Sequence, residues 1–178
     1  MKILNLYFST TGNTAKVAQT ISDTVQQAGH QVDTVRIVKS EPVDVLPYDL
    51  VFVGSGVYEW LPGLAMQKMF ATLRRQYVAD GEIKSSSPRR PDKKAVVYCT
   101  FGGAHTGINE AIPAAKYMGQ LFDHLGYEIL GEWYIVGEYH GKYKEFSTGG
   151  RLGDIHGRPN EADFKDLAEK VKGILGGV

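Results

Sequence analysis

Apolar positions along the chain fall into two alternating rhythms. Short runs come first, in Ile3-Leu4-Asn5-Leu6-Tyr7, Leu50-Val51-Phe52-Val53-Gly54 and Ala95-Val96-Val97-Tyr98-Cys99. Continuous runs of this length suit strands covered on both faces. Two further segments alternate with period two: His30–Val38, with Val32, Thr34 and Arg36 set against Asp33, Val35 and Ile37, and Tyr127–Val136, with Ile129, Trp133 and Ile135 on one face. Between them lie stretches of helical spacing. Val17, Ile21 and Val25 mark a first helix ending near Gly29; Pro62-Gly63 opens a second, with Met66, Phe70, Leu73 and Tyr77; Ile112, Ala115, Met118 and Phe122 mark a third, with Gly126 just past its end. A closing helix starts at Pro159-Asn160 and buries Phe164, Leu167, Ala168, Val171 and Leu175.

Strands joined through helices are parallel, with right-handed crossovers. Five strands alternating with helices predict an α/β fold, a doubly wound parallel sheet with helices on both faces. No internal repeat or linker interrupts residues 1–178, so the expectation is a single domain. In such sheets ligands bind outside the carboxyl ends of the strands. Asp80–Lys94, polar and carrying Arg89-Arg90, reads as an exposed loop.

Composition narrows the function. Lys+Arg and Asp+Glu both number 20, so the formal charge is zero, which gives no support to nucleic-acid binding or a polybasic membrane anchor. The lone Cys99 excludes an internal disulfide and a cysteine-rich metal cluster; it ends a buried strand and reads as inert core. No apolar run reaches membrane-spanning length and no signal segment precedes the first strand, so the expected location is the cytoplasm.

The candidate chemistry lies in three loops. The first strand runs into Ser9-Thr10-Thr11-Gly12-Asn13-Thr14 and then directly into a helix. A helix N-terminus offers unpaired N–H groups and partial positive charge. An ordinary N-cap needs one hydroxyl or amide; four hydroxyls, a glycine and an asparagine in six residues suit a monophosphate held by neutral donors. The turn lacks the Gly-Lys-Ser/Thr ending of nucleotide hydrolysis and the G-x-G-x-x-G of dinucleotide folds. After the third strand, Ser55-Gly56-Val57-Tyr58-Glu59-Trp60-Leu61-Pro62-Gly63 places two aromatics where they can stack on a flat ring. After the fourth, Thr100-Phe101-Gly102-Gly103-Ala104-His105-Thr106-Gly107 brings flexible backbone to a ligand edge.

The opening strand, hydroxyl-rich turn and helix resemble the FMN phosphate loop of the flavodoxin family, and the later loops follow in that family's order. The resemblance implies the flavodoxin-like strand order 2-1-3-4-5 and FMN as cofactor. By position, Ser9, Thr10, Thr11, Gly12, Asn13 and Thr14 would hold the phosphate. Ser55, Gly56, Val57, Tyr58 and Trp60 would line one side of the isoalloxazine; Thr100, Phe101, Gly102 and Gly103, with His105 beside them, would meet its pyrimidine end and other side. The chain departs from the family in being neutral rather than acidic, and in offering Phe101 and His105 where an acidic residue and a stacking Tyr are usual.

The resemblance implies electron transfer between redox partners, with a reductase or ferredoxin-type donor and an unspecified acceptor. Two alternatives stay open: a flavin-dependent oxidoreductase with its own substrate, such as an NAD(P)H:quinone reductase or a protoporphyrinogen-oxidase-type enzyme, and a non-redox anion-binding module. Glu138–Arg158 exceeds the simplest pattern of the family; the expectation is that it folds near the flavin and shapes access, with His105 and His140 as candidate proton donors.

Overall fold

The computed structural model describes residues 1–39 and 41–177. Strands β1 (Ile3–Phe8), β2 (Val32–Arg36), β3 (Leu50–Tyr58), β5 (Lys94–Phe101) and β6 (Glu128–Val136) form a parallel sheet in the order β2-β1-β3-β5-β6. A two-residue strand β4 (Leu61–Pro62) pairs antiparallel with the end of β3. The main path is the expected order, with that hairpin added.

Helices cover both faces. On one, α1 (Asn13–Gln27) and α5 (Glu161–Gly176) bury Val17, Ala18, Ile21, Val25, Leu167 and Val171 against Phe52, Val96 and Tyr98. On the other, α2 (Leu64–Ala79) and α3 (Ile112–His124) bury Met66, Met69, Phe70, Leu73, Met118 and Phe122 against Leu6, Val53 and Val97. A four-residue helix α4 (Phe146–Gly149) lies between β6 and α5. Asn160 caps α5, accepting from the Ala162 and Asp163 N–H groups, so the helix begins one residue later than Pro159-Asn160 suggests.

Two local features depart from the alternation read in the sequence. A register shift at Ala95/Val96 inserts Leu130 as an extra residue in β6. Such a bulge flips the parity of everything beyond it. Ile129 therefore packs into the α2/α3 face, while Trp133 and Ile135 pack into the α1/α5 face, correcting their assignment to one face. The third and fourth strands also run further than their apolar cores. β3 continues through Ser55–Tyr58, and β5 takes in Thr100 and Phe101.

One buried polar group fixes the middle of α1 over the sheet. Asn5, fully buried in β1, donates from Nδ2 to the Ala18 carbonyl (2.7 Å) and to Ser22 Oγ (2.9 Å). Its Oδ1 accepts from the Tyr98 hydroxyl at 2.8 Å. Burial pushes the Tyr98 phenol pKa well above its ordinary value, so it keeps the proton it donates. Buried polar groups satisfied in this way lock one arrangement of β1, β5 and α1.

Candidate functional site

The strand order reverses between β1 and β3, since β2 lies on one side of β1 and every later strand on the other. The carboxyl ends of β1 and β3 therefore open the crevice where such sheets take ligands. Three segments meet at that edge: residues 9–12 after β1, the β3–β4 hairpin, and residues 102–107 after β5.

In the first segment Gly12 adopts φ 103°, a left-handed conformation that glycine takes without strain. It turns the chain into α1 and leaves the head of the helix facing outward. The Ser9 hydroxyl is buried and accepts from the Gly12 N–H at 3.2 Å. Thr10 Oγ1 lies 2.7 Å from the Tyr58 hydroxyl. The Thr14 hydroxyl, also buried, pairs with Thr100 Oγ1 at 2.8 Å and ties α1 to β5. Asn13 faces away from the loop: its Nδ2 donates to the Glu138 carbonyl (2.9 Å) and its Oδ1 lies 3.1 Å from His140 Nε2. Of the six residues read as a phosphate loop, Ser9, Thr10, Asn13 and Thr14 thus engage protein partners through their side chains, and Thr11 keeps an exposed hydroxyl.

The backbone supplies the free donors. Gly12 N–H goes to Ser9 and Lys16 N–H to the Gly12 carbonyl. Among the described residues, the N–H groups of Thr11, Asn13, Thr14 and Ala15 meet no acceptor. Four N–H groups without acceptors, at and just before the positive end of a 15-residue helix, make a cradle suited to an anion.

The hairpin is built around a two-residue turn, Glu59-Trp60, with both residues at positive φ (48° and 67°) between the paired Tyr58 and Leu61. Such φ values suit the primed turns that match sheet twist, and are uncommon without glycine. The turn throws Trp60 outward, 63% exposed. Tyr58 points back over the sheet: its ring lies across Gly56, where a Cβ would come within 2.9 Å of the hydroxyl, and meets Phe8 edge-on at 5.7 Å. Ser55 is fully buried, donates to the Gly56 carbonyl (2.7 Å) and accepts from the Gly63 N–H (3.0 Å). Its side chain holds the hairpin closed; Glu59 and Trp60 are exposed there, and Val57, Tyr58 and Leu61 keep part of their surface.

After β5, the Phe101 side chain packs in the α2/α3 core, so this residue offers the crevice only backbone. Thr100 is likewise turned to Thr14. Gly102, Gly103 and His105 follow, with His105 exposed and its N–H donated to Glu110 Oε1 at 2.7 Å.

Residues 138–158 fold back onto two of these segments. Their ends meet, Glu138 N–H donating to the Arg158 carbonyl at 2.8 Å. The Tyr139 ring lies against Gly102, where a Cβ would come within 2.1 Å, and its hydroxyl accepts from the Ala104 N–H at 3.2 Å. Burial raises the Tyr139 pKa, so the phenol stays protonated at neutral pH. Arg151 N–H donates to the Ala104 carbonyl at 2.8 Å, and Glu138 and His140 hold Asn13. The segment therefore braces the 102–107 loop against the head of α1. Tyr139, His140 and Phe146 (5.9 Å from His105, centroid to centroid) form this brace.

One residue at the edge has no signal in the local motif. Arg36 ends β2, and its Nη2 donates to the Ser9 carbonyl at 2.8 Å. A cation thus stands at the start of a loop whose own residues are neutral. Cys99 is buried in the core, and burial raises its thiol pKa strongly, leaving little thiolate. No group of three His, Cys, Asp or Glu side chains capable of holding a metal occurs among the described residues. No helix among them is long and apolar enough to cross a membrane.

Residues 4–105, more than half of the chain, match the model of the flavodoxin domain. The chain belongs to the flavodoxin family. Family membership implies a flavin cofactor. The matched region runs from Leu4 in β1 through β5 and the loops at the strands' carboxyl ends as far as His105, and leaves out the brace. Solved structures agree on the fold. A Streptococcus pneumoniae TIGR4 flavodoxin is 18% identical, with full coverage of both chains and a TM-score of 0.68. Flavodoxin 2 from Bacillus cereus is 16% identical, also with full coverage of both, at 0.67. A flavodoxin, WrbA-like protein from Agrobacterium tumefaciens is 11% identical at 0.63, covering 98% of this chain and 95% of its own. No curated protein sequence matches the chain.

Proposed function

We propose that this flavodoxin-family chain is a single FMN-binding unit that carries electrons between redox partners. The observation that carries the reading is the cradle of unbonded N–H groups on Thr11, Asn13, Thr14 and Ala15 at the β1/β3 crevice. The residues fit a flavin monophosphate. These N–H groups and the Thr11 hydroxyl would take the phosphate, with Ser9, Thr10 and Gly12 shaping the turn. Tyr58 and Trp60, with Gly56 and Val57, would form one wall of the ring site. The backbone of Thr100–Gly103, and His105 beyond it, would form the other. Bound there, the flavin would supply one- and two-electron redox chemistry.

The protein's part would be to orient the ring, fix its exposure and set the local charge. Trp60 and Tyr58 would exclude water from one face, and Tyr139 would hold the 102–107 backbone in place. A reductase or ferredoxin-type donor is the proposed source of electrons in a cytoplasmic setting; the acceptor would dock at the same carboxyl edge. Both a small-substrate oxidoreductase and a carrier are chemically compatible with such a site, and reduction behaviour separates them.

The test is an anaerobic reduction of the FMN-loaded protein. A carrier is expected to give two resolved one-electron potentials and no bleaching by NAD(P)H alone within minutes. A single two-electron wave with rapid bleaching by NAD(P)H would contradict the carrier reading and favour an oxidoreductase of the quinone-reductase kind.

A further inference from the structure

We infer that Arg36 is a charge-bearing residue of the phosphate cradle, selecting the phosphorylated flavin over its dephosphorylated form. The inference rests on the FMN reading above and adds a residue that the loop motif does not contain.

The placement follows from the sheet. β2 pairs in parallel with β1, Arg36 lying opposite Tyr7 at the carboxyl end of both strands. Along β2, Thr34 bonds to Ser22 of α1, so Arg36, two residues on, emerges on that same α1 face. The guanidinium reaches forward and donates from Nη2 to the Ser9 carbonyl at 2.8 Å. This bond uses one of five donors. It sets the cation beside the loop that leads into the head of α1.

The electrostatics there are unbalanced. The start of α1 carries partial positive charge, and α1 has no acidic residue in its first turn. Among the described residues no carboxylate forms an ion pair with Arg36. A cation held beside a positive helix end, with neither offset by an acid, is stabilised by an anion placed between them. A phosphate dianion meets that need, and a neutral ribityl hydroxyl does not. Arginine also offers a planar fork for phosphate oxygens, which lysine lacks.

The prediction separates selection from mere support of the loop. Fluorescence titrations of the full chain with FMN and with riboflavin are run for the wild type, Arg36→Gln, Arg36→Lys and Lys84→Gln, at low and high salt. Lys84 lies in the loop that leads into β5 at the opposite edge of the sheet, and controls for loss of overall charge. Arg36→Gln is expected to raise the FMN Kd about tenfold or more while riboflavin shifts less than about twofold. Arg36→Lys recovers part of the FMN preference, and Lys84→Gln leaves it unchanged. For the wild type, FMN binding weakens with salt and riboflavin binding does not, a readout that needs no variant to fold. Equal weakening of both flavins in Arg36→Gln, or no weakening of either, overturns the assignment. A wild type that binds neither flavin refutes the FMN reading itself. A wild type that prefers FMN without the Arg36 pattern refutes only the role of this residue.

Discussion

Gly54→Ala is expected to lower stability by about 3 kcal/mol or more, a large part of the 5–15 kcal/mol typical of a domain. Gly54 lies in β3, hydrogen-bonded between β1 and β5. A Cβ there would come within 2.0–2.3 Å of three atoms of the Tyr98 ring. The ring has no room to retreat. It is fully buried among Phe52, Val96 and Trp133, and its hydroxyl is committed to Asn5. Moving it would unpair Asn5 Oδ1, adding the cost of a buried acceptor without a donor, about 1–3 kcal/mol. The strain would spread to α1 through the Asn5 bonds to Ala18 and Ser22, and so reach the cradle. Urea denaturation followed by circular dichroism measures the effect. A variant within about 0.5 kcal/mol of the wild type would contradict the close approach of Tyr98 to this backbone.

Asn13→Ala is the second large effect, and it acts on the site as well as on stability. The side chain is nearly buried and bridges α1 to residues 138–140 through the Glu138 carbonyl and His140 Nε2. Alanine removes both bonds and leaves the Glu138 carbonyl without its donor, for an expected loss of about 2 kcal/mol. The backbone N–H of residue 13 is untouched, so the free donors at the head of α1 remain in number. What changes is the brace. With its anchor on α1 gone, residues 138–158 keep the Tyr139 and Arg151 bonds to Ala104, the Phe146 packing on His105, the Arg158 ion pair with Asp163 and their own internal bonds, and none of these reaches α1. Limited proteolysis should then cut first within 138–158. FMN affinity should fall several-fold as the 102–107 loop loosens. Unchanged protection of this segment would show that Asn13 does not anchor it.

These two positions also show what the sequence makes legible. The apolar runs at Leu4, Val51 and Val96 are long enough to mark central strands, and helical spacing between them fixes a parallel order. The hydroxyl-rich turn at Ser9–Thr14 stands out because its residue types are those that bind anions at a helix head. The hairpin at Glu59-Trp60 carries no such mark: neither residue is a glycine or asparagine, yet both take positive φ. Composition therefore gives a loop where β3 continues. The bulge at Leu130 is equally silent, because one inserted residue leaves an alternating pattern intact on either side while exchanging the faces.

Long-range contacts are harder still to read. The resemblance to the family places Phe101 at the ring site, but the strand extends through it and its side chain packs in the core. Arg36 and Ser9 are 27 residues apart, and Asn13 and His140 are 127 apart. Nothing in either neighbourhood marks the partner. Only the closure of the sheet, with β2 beside β1 and β6 beside β5, brings them to one edge. The excess length of 138–158 marks a segment the simplest pattern of the family does not need, and Tyr139 packs it against Gly102.

The central claim is that the head of α1 and the loops around it hold FMN by its phosphate. Its most direct test is equilibrium titration of the purified protein with FMN and riboflavin, read by quenching of flavin fluorescence. Two or more charge-assisted bonds from the cradle predict saturable one-to-one binding, with FMN preferred by at least about a hundredfold. No saturable FMN binding, or equal affinity for the two flavins, would contradict it.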